Sequence, residues 1–154
     1  MVLHQDLIIF CKNSIYKLSD INISASIAIT PITKNVGCLD GHSIQEIGGD
    51  LIFLSPDGLR LVAGTARIGD VELSSVSRNI QSVISALAAN IDSYVITSAV
   101  LRSKSQYRLF YSSTIELAVT SKGIIGTITP RGFEWSETVG IQAHGFASGF
   151  NYLL

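Results

Sequence analysis

The chain has 154 residues, enough for one domain with its own hydrophobic core. Its net charge is −1 and its eleven Lys and Arg residues are scattered, so the composition carries no electrostatic footprint of a nucleic-acid-binding protein. Charged residues make up only 15% of the chain, against about 25% in a typical soluble domain. Low charge with many Ser, Thr and β-branched residues favours a β protein partly covered by neighbouring chains. The alternative is a soluble domain that uses Ser and Thr on its surface.

The sequence predicts no signal peptide and no membrane segment. The first residues lack a cationic region, and Asp6 interrupts the apolar start. The longest apolar runs are far shorter than the roughly 20 residues of a membrane helix. We therefore expect the protein to fold in the cytoplasm, whatever its final location.

The N-terminal part of the chain predicts three strands followed by a loop. Residues 7–11 form a continuous apolar run, typical of a buried strand, and residues 15–18 alternate on a second strand. Isoleucine or alanine then recurs at every second position from Ile23 to Ile29, and Pro31 ends this strand or leaves it at a sheet edge. Residues 34–41 contain two glycines and predict a loop.

The stretch around residues 43–62 predicts a β-meander with two tight turns. The turns are Gly48-Gly49 and Pro56-Asp57-Gly58, whose residue types favour turn backbone conformations. Arg60 lies between Leu59 and Leu61, which is the period of a strand with one buried face. The predicted strands are Ser43–Ile47, Leu51–Ser55 and Leu59–Val62.

Residues 50–61 repeat the pattern of residues 6–18: an acid, an apolar run, a small polar turn and an alternating strand. The two stretches begin at Asp6 and Asp50. A repeat of about this length, made of short strands, is typical of propeller blades. The alternative is a chance similarity between two hairpins of a β-sandwich.

The period changes after an unpatterned stretch at residues 63–70, which we interpret as an exposed loop. Apolar residues at helical spacing predict one helix over residues 78–89, with Ser77 as its N-cap and Asn90 as its stop. Strand patterns then return, with polar turns at 103–105, 121–123 and 130–132. The predicted strands are 94–102, 106–112, 115–120, 124–129 and 133–136, followed by an apolar tail at 141–154.

No recognised catalytic motif is present. Asp40, His42 and Ser43 place an acid, a base and a hydroxyl within four residues, but a triad must converge in space and neighbours on one turn usually diverge. We interpret this stretch as a loop.

Carboxylate pairs of the kind a glycosidase needs lie in predicted turns or on polar faces, so we expect solvated structure there. These pairs are Asp50 with Asp57 and Glu134 with Glu137; the remaining histidines are His4 and His144.

Aromatic and basic residues offer two further possibilities. Aromatic side chains can stack on sugar rings, but on strands they more often form the core. Basic residues line a DNA channel only if they share one surface. The aromatic candidates are Phe133, Trp135, Tyr107 and Tyr111, and the basic candidates are Arg102, Lys104, Arg108 and Arg131.

Cys11 and Cys38 lack zinc spacing, and we expect two reduced, buried thiols unless the fold brings them together as a disulfide.

Four short motifs give the chain a family resemblance. They are Asn13-Ser14-Ile15-Tyr16, Val36-Gly37-Cys38, the hairpin Ile52–Gly58 and Ser77-Arg78-Asn79-Ile80. In this order the chain resembles the β-propeller region of the tail nozzle, or tail tubular, proteins of short-tailed bacteriophages. The resemblance covers most of residues 7–112, and Gly145–Gly149 looks like the start of a further blade. Family members are several times longer than this chain.

The resemblance implies a structural role. Such proteins form rings, usually of six copies, through which DNA leaves the particle. The matched motifs are turns and core strands, so the resemblance implies no catalytic, cofactor-binding or metal-binding residues. The partners it implies are copies of the same chain and other tail proteins, with transient passage of DNA, and the location it implies is the virion.

Together these observations predict an all-β, mainly antiparallel fold: a partial β-propeller of about three blade-like meanders with one short helix, or alternatively a β-sandwich. The blade-like units span about 6–40, 41–92 and 93–140, with a tail at 141–154. The predicted function is that of a structural, non-enzymatic tail component. The alternative is a β-rich module that binds host-surface glycans through aromatic residues, and a hydrolase ranks last.

Overall fold

The computed structural model describes residues 1–3, 6–20, 26–63, 76–113, 121–141 and 143. The described strands form three sheets in which every pairing is antiparallel. In each sheet, strands that are consecutive in the chain are neighbours, so each sheet is a meander. The prediction of a mainly antiparallel all-β fold is therefore confirmed. The division into blades is a finer claim that stays a prediction.

The first sheet comes from the N-terminal part of the chain. Pro31 lies within its edge strand, where a missing N–H removes no bond from the interior of the sheet. A β-bulge shifts the register between Ile15 and Tyr16, which pair with Thr33 and Pro31. The predicted start of this strand at residues 23–25 lies outside the described residues. The strands are β1 (Val2–Leu3), β2 (Asp6–Phe10), β3 (Ile15–Ser19) and β4 (Ala28–Thr33).

The second sheet is the predicted central meander, with strand ends shifted by one or two residues. Gly48 and Gly49 form its first turn with φ of 62° and 79°, a backbone region in which glycine avoids the clash of a Cβ atom. Pro56 and Asp57 form the second turn. The strands are β5 (Gln45–Ile47), β6 (Asp50–Ser55) and β7 (Gly58–Leu61).

The third sheet contains the longest strands. The turn predicted at residues 121–123 is wrong, because Lys122 and Gly123 already belong to a strand and pair with Tyr111 and Phe110. The strand predicted at 115–120 lies outside the described residues, and the strand predicted at 133–136 is longer than expected. The strands are β8 (Tyr94–Leu101), β9 (Gln106–Ser113), β10 (Lys122–Thr129) and β11 (Gly132–Val139).

The predicted helix is present, with a 3₁₀ turn at Arg78–Ile80 leading into α1 (Gln81–Ala89). Ser77 is the N-cap residue of this 3₁₀ turn, as predicted, but its side chain makes no capping bond. Its hydroxyl instead accepts the backbone N–H of Leu59 at 2.9 Å, which joins the start of the helix to β7. Asn90 is the C-cap as predicted, and its side-chain amide donates to the carbonyl oxygen of Ala86 at 3.0 Å.

The second sheet lies between the other two and is covered on both faces. One core cluster joins its Ile52, Leu54 and Leu59 to α1 and to the inner face of the third sheet. A second cluster joins its Leu51 and Phe53 to the first sheet. The prediction of one buried face for the strand at residues 59–62 is therefore wrong. The residue that shows it best is Arg60, which is fully buried beside its cross-strand neighbour Phe53.

Two predicted segments lie almost wholly outside the described residues. Only Ala63 of the predicted loop at 63–70, and only Ile141 and Ala143 of the predicted tail, are described. Across the part of the chain that the structure does describe, no helix is both long and apolar enough to cross a membrane.

Candidate functional site

Asp40, His42 and Ser43 lie at a 3₁₀ turn, Gly41–Ser43, where Asp40 is the N-cap. Asp40 and His42 do come together, contrary to the expected divergence: the carboxylate accepts the backbone N–H of His42 at 2.7 Å and lies 3.1 Å from its Nδ1. The hydroxyl of Ser43 is buried and donates to the carbonyl oxygen of Asp40 at 2.6 Å, while it accepts the N–H of Leu54 at 3.1 Å. These backbone bonds occupy the hydroxyl, so the arrangement is that of a structural turn.

The same turn connects the second sheet to the third. The buried hydroxyl of Tyr107 in β9 donates to the carbonyl oxygen of Ser43 at 2.8 Å. The hydroxyl of Ser98 in β8 donates to the carbonyl oxygen of His42. The side-chain amide of Gln45 in β5 donates to Ser98 Oγ at 3.1 Å. The residue types of this turn resemble those of a catalytic triad, but its polar groups form hydrogen bonds between the second and third sheets.

Neither predicted carboxylate pair has the geometry of a glycosidase. Asp50 begins β6 and Asp57 follows its end, so the two lie roughly 20 Å apart, against about 5–9.5 Å in such enzymes. Asp50 accepts the backbone N–H groups of Leu51 and Ala63. Glu134 and Glu137 both lie on β11, but at positions of opposite parity, so they point to opposite faces of the sheet.

Asp57 has a partner that the sequence interpretation missed. It forms an ion pair with the buried Arg60, whose Nε lies 3.0 Å from Asp57 Oδ1. Ser55 donates to the same carboxylate oxygen at 2.6 Å. Burial by itself would raise the pKa of Asp57, but the bonds from Arg60 and Ser55 and the charge of Arg60 outweigh it and hold that pKa below its usual value. The group is structural, because it neutralises a cation inside the core.

The two cysteines are free, and their environments differ. Cys11 is exposed, so the prediction that both thiols are buried is wrong for this one. Cys38 is half-buried, its Sγ lies 3.1 Å from the carbonyl oxygen of Asp40, and burial raises the pKa of its thiol. The backbone N–H of Cys38 donates to the carbonyl oxygen of Cys11 at 2.9 Å. Among the described residues no group of three His, Cys, Asp or Glu side chains is placed to hold a metal ion.

The four aromatic candidates divide into two pairs. Tyr107 and Tyr111 belong to the core between the second and third sheets, as the favoured interpretation expected. Phe133 and Trp135 are half-buried, pack against the same core cluster and stack on each other, with ring centroids 5.3 Å apart and planes at 14°. Trp135 Nε1 donates to the carbonyl oxygen of Val76 at 2.7 Å. Phe133 also lines an open, mostly apolar depression of about 600 Å3 between the second and third sheets.

Three of the four basic candidates lie at the same end of the third sheet. Arg102 and Lys104 lie in the β8–β9 connection, and Arg131 lies in the β10–β11 turn; all three are exposed. Neighbouring strands are antiparallel, so both connections fall at one end, where the N–H of Ile128 donates to the carbonyl oxygen of Ser105 at 2.9 Å. Arg108 lies within β9 instead and donates to the side chain of Gln106 at 2.7 Å.

The outer face of the first sheet is apolar and uncovered in part. The register places Leu7, Leu18 and Ile29 side by side across β2, β3 and β4. The next row consists of Ile9, Tyr16 and Pro31. We call these six residues the outer apolar array. Ile29 exposes 64% of its surface and Ile9 exposes 36%, whereas Ile8 and Ile15 on the opposite face are buried against the second sheet.

Comparison with known proteins adds no relative. No family model matches the chain, and no curated protein matches it. His4 and His144 lie outside the described residues.

Proposed function

We propose that the chain is a structural protein of a bacteriophage tail, a nozzle or tail-tube component whose copies assemble into a ring or conduit for DNA ejection. The observation that carries the proposal is the stacking of three meanders in chain order, with the middle sheet buried on both faces. Consecutive blades of a β-propeller pack against each other in this way.

The repeated pattern supports the same proposal. Residues 6–18 contain the β2–β3 hairpin, and residues 50–61 contain the β6–β7 hairpin. The two hairpins lie in adjacent sheets and contribute to one core cluster, through Ile8 and Ile15 on one side and Leu51 and Phe53 on the other. Equivalent hairpins in adjacent sheets are what a blade repeat requires.

The number of sheets bears on assembly. The described strands form three sheets, whereas closed propellers typically have four to eight blades. More blades are therefore needed to close a ring, and further copies of the chain are the proposed source. Three exposed cations lie at one end of the third sheet: Arg102, Lys104 and Arg131. Because the net charge of the chain is −1, we expect these cations to contact passing DNA without binding it tightly.

Light scattering behind a sizing column, over a concentration series, tests the proposal. We expect a discrete oligomer, with rings visible by negative-stain electron microscopy. A monomer at every concentration, both alone and with the other tail proteins of the phage, would contradict it.

The stacked pair Phe133 and Trp135 favours a second candidate function, binding of host-surface glycans. Both aromatics are half-buried, and Phe133 borders the open depression of about 600 Å3. Aromatic faces beside an open depression suit sugar rings. A glycan array tests this function, with Phe133→Ala as the control variant. Binding that the variant loses, by a chain that stays monomeric, would favour this function over assembly.

A further inference from the structure

The outer apolar array has the composition of a buried surface. Its six residues are two leucines, two isoleucines, one tyrosine and one proline, none of which carries a charge. Ile27, just before β4, adds a further exposed side chain with 48% of its surface accessible. Contiguous exposed apolar surface of this kind marks an interaction site in soluble proteins.

The strand pattern itself points to burial on both faces. Residues 7–10 of β2 form a continuous apolar run, as residues 51–54 of β6 do. A continuous run is typical of strands that are covered on both sides, and β6 is covered on both sides. In β2, Ile8 is buried against the second sheet, but Ile9 on the other face is exposed. The outer face therefore lacks the cover that its sequence pattern predicts.

The chemistry of the surfaces identifies the occupant. The outer face of the third sheet carries charged residues among apolar and polar ones: Arg108 lies in one cross-strand row with Ile125 and Ser136, and Glu134 lies in the next row. Docking the array there would bury a guanidinium group and a carboxylate against apolar side chains, which is costly. A second outer apolar array has no such charge, so the array is complementary to itself. A surface that pairs with its own copy generates a two-fold symmetric dimer, the commonest symmetry of homo-oligomers.

We propose that the outer apolar array is the docking surface for the same array of a second copy of this chain. Two stacks of three sheets then meet through their first sheets and form one stack of six. The arrangement continues, between two chains, the face-to-face packing that joins the first sheet to the second within one chain. This inference rests on the proposed function only in that copies of the chain associate.

The size of the face sets the strength of the contact. The array spans three strands about 4.8 Å apart, with about five residues each at about 3.3 Å, and covers roughly 240 Å2 in projection. An interface of this size belongs to the weak, reversible class. We therefore expect a dimer that forms and dissociates with concentration and is not permanent.

Sedimentation equilibrium of the full chain and of two matched variants tests the proposal. Ile29→Glu places a charge in the array, and Val139→Glu places the same charge on an equally exposed valine at the end of β11. Both residues are exposed, so neither change removes core packing. We expect Ile29→Glu to raise the dissociation constant of the dimer at least about tenfold, and Val139→Glu to leave it within about twofold.

A cross-linking experiment identifies the face directly. In a Cys11→Ser background, Leu18→Cys introduces a thiol on the central strand of the array, and Ser136→Cys introduces one on the outer face of the third sheet. A short thiol–thiol cross-linker should give a covalent dimer with the first variant and none with the second. The reverse result would overturn the proposed face.

The outcomes separate this inference from the proposed function. Equal association of the full chain and Ile29→Glu would overturn this interface and leave ring assembly standing. A dimer that Ile29→Glu dissociates, without rings by electron microscopy, would support the interface and contradict the ring. A monomer at all concentrations would overturn this interface, and it would contradict the ring as well if the other tail proteins of the phage leave the chain monomeric. Dimerisation only after removal of residues 144–154 would identify the chain's own C-terminal segment as the occupant and overturn the second copy.

Discussion

Arg60 is completely buried, and its guanidinium group contacts the carboxylate of Asp57 in the turn three residues earlier. The arginine lies on the face of the second sheet that carries Phe53, toward the first sheet. Ser55 accepts its Nε at 3.2 Å and donates to Asp57 at 2.6 Å. The cluster lets a charged residue occupy a position between two packed sheets.

Removal of Asp57 is expected to destabilise the fold, because it takes an ion-pair partner away from the buried Arg60. Breaking one side of a buried pair costs about 3–5 kcal/mol, and the partial exposure of Asp57 reduces this to about 2–3 kcal/mol for Asp57→Ala. Urea unfolding followed by circular dichroism measures the change. Arg60→Met is the control and should cost less, since methionine fills the space and Asp57 retains access to water. A loss of less than about 0.5 kcal/mol in the free energy of unfolding for Asp57→Ala would contradict the assignment of Asp57 as an ion-pair partner of Arg60.

The lowered pKa of Asp57 predicts a specific acid sensitivity. A carboxyl group whose pKa is lower in the folded than in the unfolded state stabilises the fold above its unfolded pKa, and this contribution is lost as pH falls through the folded pKa. With an ordinary value of 3.8, the loss is expected below about pH 4. The difference in free energy of unfolding between wild type and Asp57→Asn should therefore shrink from pH 6 to pH 3. A difference that stays constant over this range would exclude the ion pair as its source.

Local chemistry explains which parts of the fold the sequence could predict. Pro56-Asp57-Gly58 and Gly48-Gly49 define their turns whatever surrounds them, so the central meander is found within one or two residues of the predicted ends. The helix follows in the same way from its apolar spacing. The alternation around Arg60, by contrast, predicts a solvated face, and only packing against the first sheet makes that face buried.

Contacts that are distant in sequence account for what the sequence missed at Ser77 and at residues 121–123, whereas local backbone geometry accounts for the rest. Ser77 has the residue type of an N-cap, but its hydroxyl bonds to Leu59, eighteen residues earlier. Ser121-Lys122-Gly123 has turn composition, but Lys122 and Gly123 pair with β9 because the long third sheet extends past them. The contact between Asp40 and His42 follows from the 3₁₀ turn, which residue types alone do not reveal. The Asp-x-x-Arg spacing across a two-residue turn was the available signal for the buried pair.

The two cysteines are expected to react with thiol reagents at very different rates. Cys11 is exposed, whereas Cys38 is half-buried and burial raises the pKa of its thiol, so it holds less of the reactive thiolate at neutral pH. Titration with an aromatic disulfide reagent at pH 7.5 should show one rapid and one slow thiol. Cys11→Ser should remove the rapid phase, and dilute denaturant should accelerate the slow one. Two rapid phases in the native protein would contradict the structure.

Gly37 is expected to tolerate no side chain, for a reason that involves two segments of backbone. A Cβ atom there would lie 2.3 Å from the carbonyl oxygen of Cys11 and 2.3 Å from the carbonyl carbon of Lys12. The neighbouring N–H of Cys38 bonds to that same oxygen of Cys11, so the two segments cannot separate without losing the bond. Gly37→Ala should therefore cost at least about 2 kcal/mol, as overpacking against rigid neighbours does. Gly41 provides the matched control, because a Cβ atom there meets nothing within 4 Å. Chemical denaturation should show Gly41→Ala within about 0.5 kcal/mol of wild type. Equal stability of the two variants would mean that the segment at Gly37 does not lie in contact with the backbone of the β2–β3 turn at Cys11 and Lys12.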